Sequence, residues 1–199
     1  MARSRIEAAV AGFAALPADG AIGVYGPGAD TDLSSLPRDR LRLFQPLRPL
    51  HDLWKARGFA AAPEPEGRLA AALVIAPRSR AQLRGWISDA AGRMPAGAPV
   101  WVDGLRTDGI ESALRDLEAI CGKGEMIAMS HGRIAAFRTP GPIAQWTAAH
   151  VEVVGGFVTL PGVFSADGPD PGSQALAAAL PERIGPRVVD LGAGWGWLS

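Results

Sequence analysis

A doubly wound α/β sheet with an antiparallel edge hairpin is the fold class predicted for this chain, and three observations predict it. Ala71-Ala72-Leu73-Val74-Ile75-Ala76 is an unbroken apolar run stopped by Pro77, the pattern of a strand buried on both faces, as in a parallel sheet. Short runs rich in β-branched residues alternate along the chain with stretches of helical periodicity, the signature of strand–helix–strand units. Met126-Ile127-Ala128-Met129 and Arg133-Ile134-Ala135-Ala136-Phe137-Arg138 face each other across Ser130-His131-Gly132, a hairpin signal that closes the series.

The elements follow in order. Met1-Ala2-Arg3-Ser4-Arg5 before the apolar stretch from Ala8 to Leu16 has the outline of a signal peptide, but Glu7 adjoins that stretch. Ile6, Val10, Phe13 and Leu16 recur at helical spacing up to Pro17 and Gly20, so an amphipathic helix packed on a domain is expected. Ala21 to Gly26 reads as a strand ending in glycines, Leu41 to Phe44 as a second strand, and Leu50 to Arg57 as a short helix. After the strand at 71–76 come a helix from Ser79 to Arg93 with Leu83, Trp86 and Ile87 inward, a strand from Pro99 to Asp103, and a helix from Gly109 to Cys121 burying Ile110, Leu114, Leu117 and Ile120. Pro140-Gly141-Pro142 ends this unit, giving a first domain over 1–140 and a second over 141–199. In the second, Val151-Glu152-Val153-Val154 and Phe157-Val158-Thr159-Leu160 flank Gly155-Gly156 as another hairpin. Ser173 is expected to cap a helix running to Leu180, and Arg187-Val188-Val189-Asp190-Leu191 is expected to form a strand feeding directly into glycines.

Composition excludes several classes. Glycine and proline fill 25 and 17 of the 199 positions, yet 48% of residues are apolar, enough to build a core, so collagen-like and disordered chains are ruled out. Twenty basic residues offset twenty acidic ones, and a net charge of zero creates no global pull toward nucleic acid or an anionic membrane. The longest apolar run falls far short of the ~20 residues that span a bilayer, so no membrane partner is expected. Cys121 has no second cysteine to pair with, and His51, His131 and His150 lack ligand spacing, so neither a disulfide nor a metal is expected. Arg38, Arg40, Arg42 and Arg48, with Lys55 and Arg57 behind them, form the one local basic cluster; it reads as a solvated face or as a surface for RNA phosphate.

Chemistry concentrates at Asp190-x-Gly192-x-Gly194-x-Gly196. Glycines at these positions let the backbone turn sharply and approach a ligand, and the carboxylate two residues before the first of them offers a specific partner. A dinucleotide loop has the spacing G-x-G-x-x-G with its acid about 20 residues later, so this arrangement differs from it. As a bare pattern it is a cofactor loop or a structural glycine turn.

The residues before it resolve the pattern into a resemblance. Phe157-Val158-Thr159-Leu160-Pro161-Gly162-Val163-Phe164-Ser165, then Asp167-Gly168, Asp170, Gly172-Ser173, Leu176 and Leu180, then the Asp190 loop, resemble the ribosomal RNA small subunit methyltransferase C family, closely over 151–199 and in layout only over 1–140. That family consists of class I S-adenosylmethionine-dependent methyltransferases with a Rossmann-like doubly wound sheet, acting on the N2 amino group of a guanine in 16S rRNA. The resemblance implies S-adenosylmethionine as cofactor, held by Asp190, Gly192, Ala193, Gly194 and Gly196, with Phe164, Ser165, Asp170, Gly172 and Ser173 walling the cofactor or the target base. Trp195 and Trp197 flank the last glycine and stand ready to cover the cofactor or to pack beneath a sheet. It implies 16S rRNA or the small ribosomal subunit as partner, a monomer in the full-length form, and a cytoplasmic location. Asp170 and Ser173 equally suit an ordinary turn and helix cap.

The same family carries two tandem methyltransferase-like domains, the first degenerate, which implies that 1–140 is non-catalytic and that 141–199 is the N-terminal portion of the catalytic domain. Setting Val24-Tyr25-Gly26-Pro27-Gly28-Ala29-Asp30 on Asp190 to Gly196 keeps two glycines and loses the acid and the third glycine. Ala76-Pro77-Arg78-Ser79 stands where the family's active domain has Asn-Pro-Pro-aromatic, and alanine offers no amide oxygen to a base amino group. That motif and the ribose-gripping acid lie after the glycine loop in the family, so no catalytic residue is assigned within these 199 residues, and little cofactor binding is expected of them alone. Two alternatives are a non-catalytic RNA-docking or folding scaffold and a nicotinamide-dependent oxidoreductase.

Overall fold

The computed structural model describes residues 4–13, 15–147, 151–153, 155–181 and 183–199. Met1, Ala2, Arg3, Ala14, His150 and Val154, on which parts of the expectations above fall, lie outside the described residues. The chain divides into two compact units, Met1–Thr147 and Ala148–Ser199. Among the described residues no helix is long and apolar enough to cross a membrane.

The first unit is built on seven strands: β1 (Ile22–Tyr25), β2 (Leu41–Phe44), β3 (Ala61–Ala62), β4 (Ala71–Ile75), β5 (Pro99–Leu105), β6 (Glu125–Met129) and β7 (Gly132–Arg138). They lie in the order β3-β2-β1-β4-β5-β7-β6. The first five run parallel, while β7 is antiparallel to both β5 and β6. Ser130 and His131 turn that last hairpin with φ of 51° and 58°, a pair of left-handed residues of the kind a tight hairpin demands.

Alternation along β4 explains the unbroken apolar run. Ala71 and Leu73 enter one core with Ile6 and Ala9 of α1 (Arg5–Gly12) and Trp54 of α2 (Arg48–Ala56). Ala72 and Val74 enter the other with Leu83 and Ile87 of α3 (Arg80–Arg93) and Leu114 and Leu117 of α4 (Ile110–Cys121). A sheet clothed by helices on both faces leaves its central strands no wet side. Ser79 begins α3 as anticipated, its hydroxyl accepting from the Gln82 amide at 3.2 Å.

Three details depart from expectation. The first helix stops at Gly12 rather than running to Leu16, because Phe13 leaves helical geometry at φ −142°; Phe13 and Leu16 still pack on the second core from the segment that follows. The two-residue strand β3 was not anticipated, since Ala61-Ala62 has no strand pattern and exists through its pairing with Leu43 and Phe44. β5 extends to Leu105, where Gly132 pairs with its end.

Tyr25, the one tyrosine of the chain, lies fully buried on β1 and donates to Asp89 at 2.8 Å, while Arg93 holds the same carboxylate through two nitrogens at 2.8 and 2.9 Å. Burial first, then the Asp89 charge and hydrogen bond, push the phenol well above its ordinary range. A folded-state pKa above the unfolded value of about 10 gives a contribution complete below about pH 10 and lost as pH rises further. Tyrosinate absorbance in a pH titration should therefore be missing at pH 10–11 and emerge together with unfolding; ordinary titration near pH 10 in the folded protein would refute the buried triad.

Candidate functional site

The second unit opens with an antiparallel pair, β8 (Val151–Val153) and β9 (Phe157–Thr159). Gly155 and Gly156 turn between them at φ of 85° and 77°. The segment after β9 is tied by hydroxyls: Thr159 donates to the Ala166 carbonyl, and Ser165, itself left-handed at φ 51°, donates to the Gly168 carbonyl at 2.8 Å. A single helix, α5 (Pro171–Ala179), follows. Asp170 rather than Ser173 caps it: the carboxylate accepts from the Ser173 amide at 3.0 Å, and proline fills the first turn, where no amide is needed. A Cβ at Gly172 would lie 2.9 Å from that capping oxygen, so a larger residue there would press on the cap.

The expected strand at 187–191 is absent; residues 186–190 are irregular, with Val188, Val189 and Leu191 exposed at 59%, 80% and 90%. Strand propensity needs a ladder partner, and among the described residues of this unit the β8–β9 pair is the only sheet, so 187–191 has no ladder to join. Asp190 accordingly stands on exposed coil, not at the tip of a buried strand. Its carboxylate accepts from the Ser199 hydroxyl at 2.9 Å.

The glycine loop itself forms. Gly192, Gly194 and Gly196 take φ of 83°, 61° and 86°, and a Cβ on Gly192 or Gly196 would meet nothing within 4 Å. Backbone conformation, not crowding, demands glycine there. The Gly196 amide returns to the Ala193 carbonyl at 2.9 Å, and Trp195 seats edge-on against Phe157 with ring centroids 5.2 Å apart.

Three separated segments meet at this loop. Phe164 and Ser165, then Asp170 and Ser173, then Asp190, Gly192, Ala193 and Gly194 line one concavity. Gly172 and Gly196 do not line it. Trp195 and Trp197 do, as does Leu198, which no pattern in the sequence singled out. Its volume is about 50 Å³, far below the roughly 300 Å³ at which small-molecule pockets begin. A carboxylate, a glycine-loop backbone and aromatic walls suit the charged end of an amino acid, and the enclosed space holds no more than such an end.

The first unit offers a contrasting site at the carboxyl ends of β1, β4 and β5, where strand order reverses between β1 and β4 and ligands of open α/β sheets ordinarily bind. A cavity of about 430 Å³ opens there beside Gly28, Ala76 and Asp103. Arg5 of α1 is among its lining residues, holding Asp103 at 2.6 and 3.0 Å and bonding the carbonyls of Met129 and Ser130. Val24, aligned with Asp190, is fully buried in apolar surroundings where no carboxylate fits.

Residues 155–199 match the family model described as methyltransferase small domain. The chain is 30% identical over 128 residues to ribosomal RNA small subunit methyltransferase C of Cronobacter sakazakii, covering 62% of this chain and 37% of that protein. To the protein of that name from Sodalis glossinidius it is 34% identical over 111 residues, covering 53% of this chain and 31% of that one. The chain thus spans about a third of the length of the curated relatives it matches. Among solved structures, the T. thermophilus 16S rRNA N2 G1207 methyltransferase in complex with AdoMet and guanosine superposes with a TM-score of 0.62 at 20% identity, covering 82% of this chain and 48% of that one.

Proposed function

We propose that this chain is part of a ribosomal RNA small subunit methyltransferase C, a class I S-adenosylmethionine-dependent enzyme that methylates the N2 amino group of a guanine in 16S rRNA, in the cytoplasm; the family-model match over 155–199 and the similarity to the curated relatives support that reading. The observation that carries this reading is the convergence of Asp190 and the glycine loop with Phe164, Ser165, Asp170 and Ser173, the residues that the family resemblance picks out, around one concavity. When bound, the cofactor supplies the methyl group. Asp190 is the partner for its ammonium, since a carboxylate and an ammonium form a charge-assisted hydrogen bond, while the left-handed glycines leave the loop backbone open to its carboxylate. Trp195 and Trp197 give apolar cover.

In this reading the second unit, from residue 148, belongs to the catalytic domain and the first, to residue 147, is non-catalytic; the expected boundary at 140 moves because Ile143 and Trp146 pack in the first unit's core. Buried Val24 in place of the acid and Ala76 in place of the amide support that division of labour. Most of the acceleration in such a transfer comes from holding donor carbon and acceptor nitrogen in line, and no residue described here takes the role of orienting the base.

Two measurements test the proposal. Reading the gene past codon 199 should reveal Asn-Pro-Pro-aromatic; a stop codon there removes the catalytic role and leaves an RNA-docking scaffold. Calorimetric titration of these 199 residues with S-adenosylmethionine should give a dissociation constant in the millimolar range or weaker, because a concavity of about 50 Å³ covers a small part of the ligand; micromolar binding would overturn the picture of an incomplete site.

A further inference from the structure

We infer that the face of the first unit carrying Arg38 and Arg57 is a docking surface for an RNA phosphate backbone, an inference that rests on the RNA-substrate reading above. Its basis is how the arginines of this unit are partnered. Arg5, Arg78, Arg80, Arg84, Arg93, Arg106 and Arg133 each meet a carboxylate, so most of their charge is answered within the protein. Arg38, Arg40, Arg42 and Arg57 do not: among the described residues every hydrogen bond they make goes to a backbone carbonyl. A neutral carbonyl orients a guanidinium without cancelling its charge. Residues 38–57 hold six basic side chains against the acids Asp39 and Asp52, in a chain whose total charge is zero, so the positive potential is local.

Arg40 is spent on structure, since its three nitrogens bond the carbonyls of Pro17, Ala18, Asp19 and Gly20 and fix the loop that leads into β1. Arg38 and Arg57 are differently placed. The Arg38 guanidinium lies over the Phe59 ring at 4.4 Å and that of Arg57 over the Trp54 ring at 4.9 Å, while the two rings meet edge to face at 5.1 Å. Arg38 also donates to the Arg57 carbonyl, and Arg57 to the Ala29 carbonyl at 2.7 Å. Both arginines are exposed, yet their planes are fixed by an aromatic pair whose Trp54 is 2% exposed and itself anchored to the Pro27 carbonyl. Two neighbouring unneutralised cations, ordered before any ligand arrives, lose little further side-chain freedom on contact with phosphates, and that favours a polyanion with regularly spaced charge.

The test uses the 199-residue chain and a fluorescein-labelled hairpin from 16S rRNA, followed by anisotropy between 50 and 200 mM salt. The double variant R38Q/R57Q should weaken binding at least tenfold at 50 mM and flatten the slope of log affinity against log salt by about 1.5, as expected for two lost phosphate contacts. R78Q/R106Q removes the same formal charge from carboxylate-paired sites and should change affinity less than twofold. R38K/R57K, keeping charge, should recover most of the binding, and circular dichroism of each variant separates lost contacts from lost fold. Equal losses in the two glutamine variants, no loss in R38Q/R57Q, no measurable binding of the hairpin, or equally tight binding to poly-glutamate would each overturn the assignment. Failure here alongside an Asn-Pro-Pro-aromatic motif past codon 199 removes this surface alone; an Arg38- and Arg57-dependent affinity alongside a stop codon there removes the activity and leaves the surface.

Discussion

Arg5→Ala is expected to lower the unfolding free energy of the first unit by about 3 kcal/mol, the scale for stripping one partner from a buried ion pair. The side chains of Arg5 and Asp103 are only 15% and 10% exposed, and the guanidinium meets the carboxylate through two nitrogens. It also spans from α1 to the turn of the β6–β7 hairpin through the carbonyls of Met129 and Ser130. Gly132 makes room for it, since a Cβ there would lie 2.7 Å from the guanidinium carbon. Alanine leaves the buried Asp103 carboxylate without its cation and removes the tie between α1 and the sheet end. Urea unfolding followed by tryptophan fluorescence checks the value, and Arg5→Ala/Asp103→Ala should restore part of the loss because no orphan charge remains. A loss below about 1 kcal/mol would mean that water in the adjoining cavity already solvates Asp103.

Gly26→Ala is expected to cost a further large amount, about 3 kcal/mol, whereas Gly28→Ala should stay within about 0.5 kcal/mol. Both align with glycines of the Asp190 loop. At Gly26 the backbone is left-handed at φ 65° and a Cβ would stand 2.4 Å from the Trp86 ring, so strain and overpacking add. At Gly28 φ is not positive, and the nearest atom to a Cβ is the Thr31 hydroxyl at 3.7 Å. Thermal unfolding of the two variants reads the difference directly. Equal costs would show that the loop after β1 depends on glycine throughout; the expected inequality shows that Gly26 is demanded by its backbone conformation and its packing against α3.

The sequence alone determined the parts that depend on neighbours along the chain. Central strands such as 71–75, the start of α3 near Ser79 and the 126–138 hairpin were legible because burial on both faces, helical periodicity and turn geometry leave residue-level marks. The glycine loop was legible for the same reason: Gly192, Gly194 and Gly196 take left-handed conformations whatever surrounds them. Tertiary structure decided whatever needed a partner distant in sequence. Ala61-Ala62 becomes a strand by lying beside β2, while Arg187–Leu191, with better strand residues, stays coil for lack of a ladder. Leu198 joins the site only because the loop folds back toward Asp190. The cluster at 38–57 could be counted in the sequence, but which arginines keep their charge could not. Steric preference belongs to a residue, whereas a hydrogen-bond ladder or a neutralising carboxylate belongs to a pair that only folding brings together.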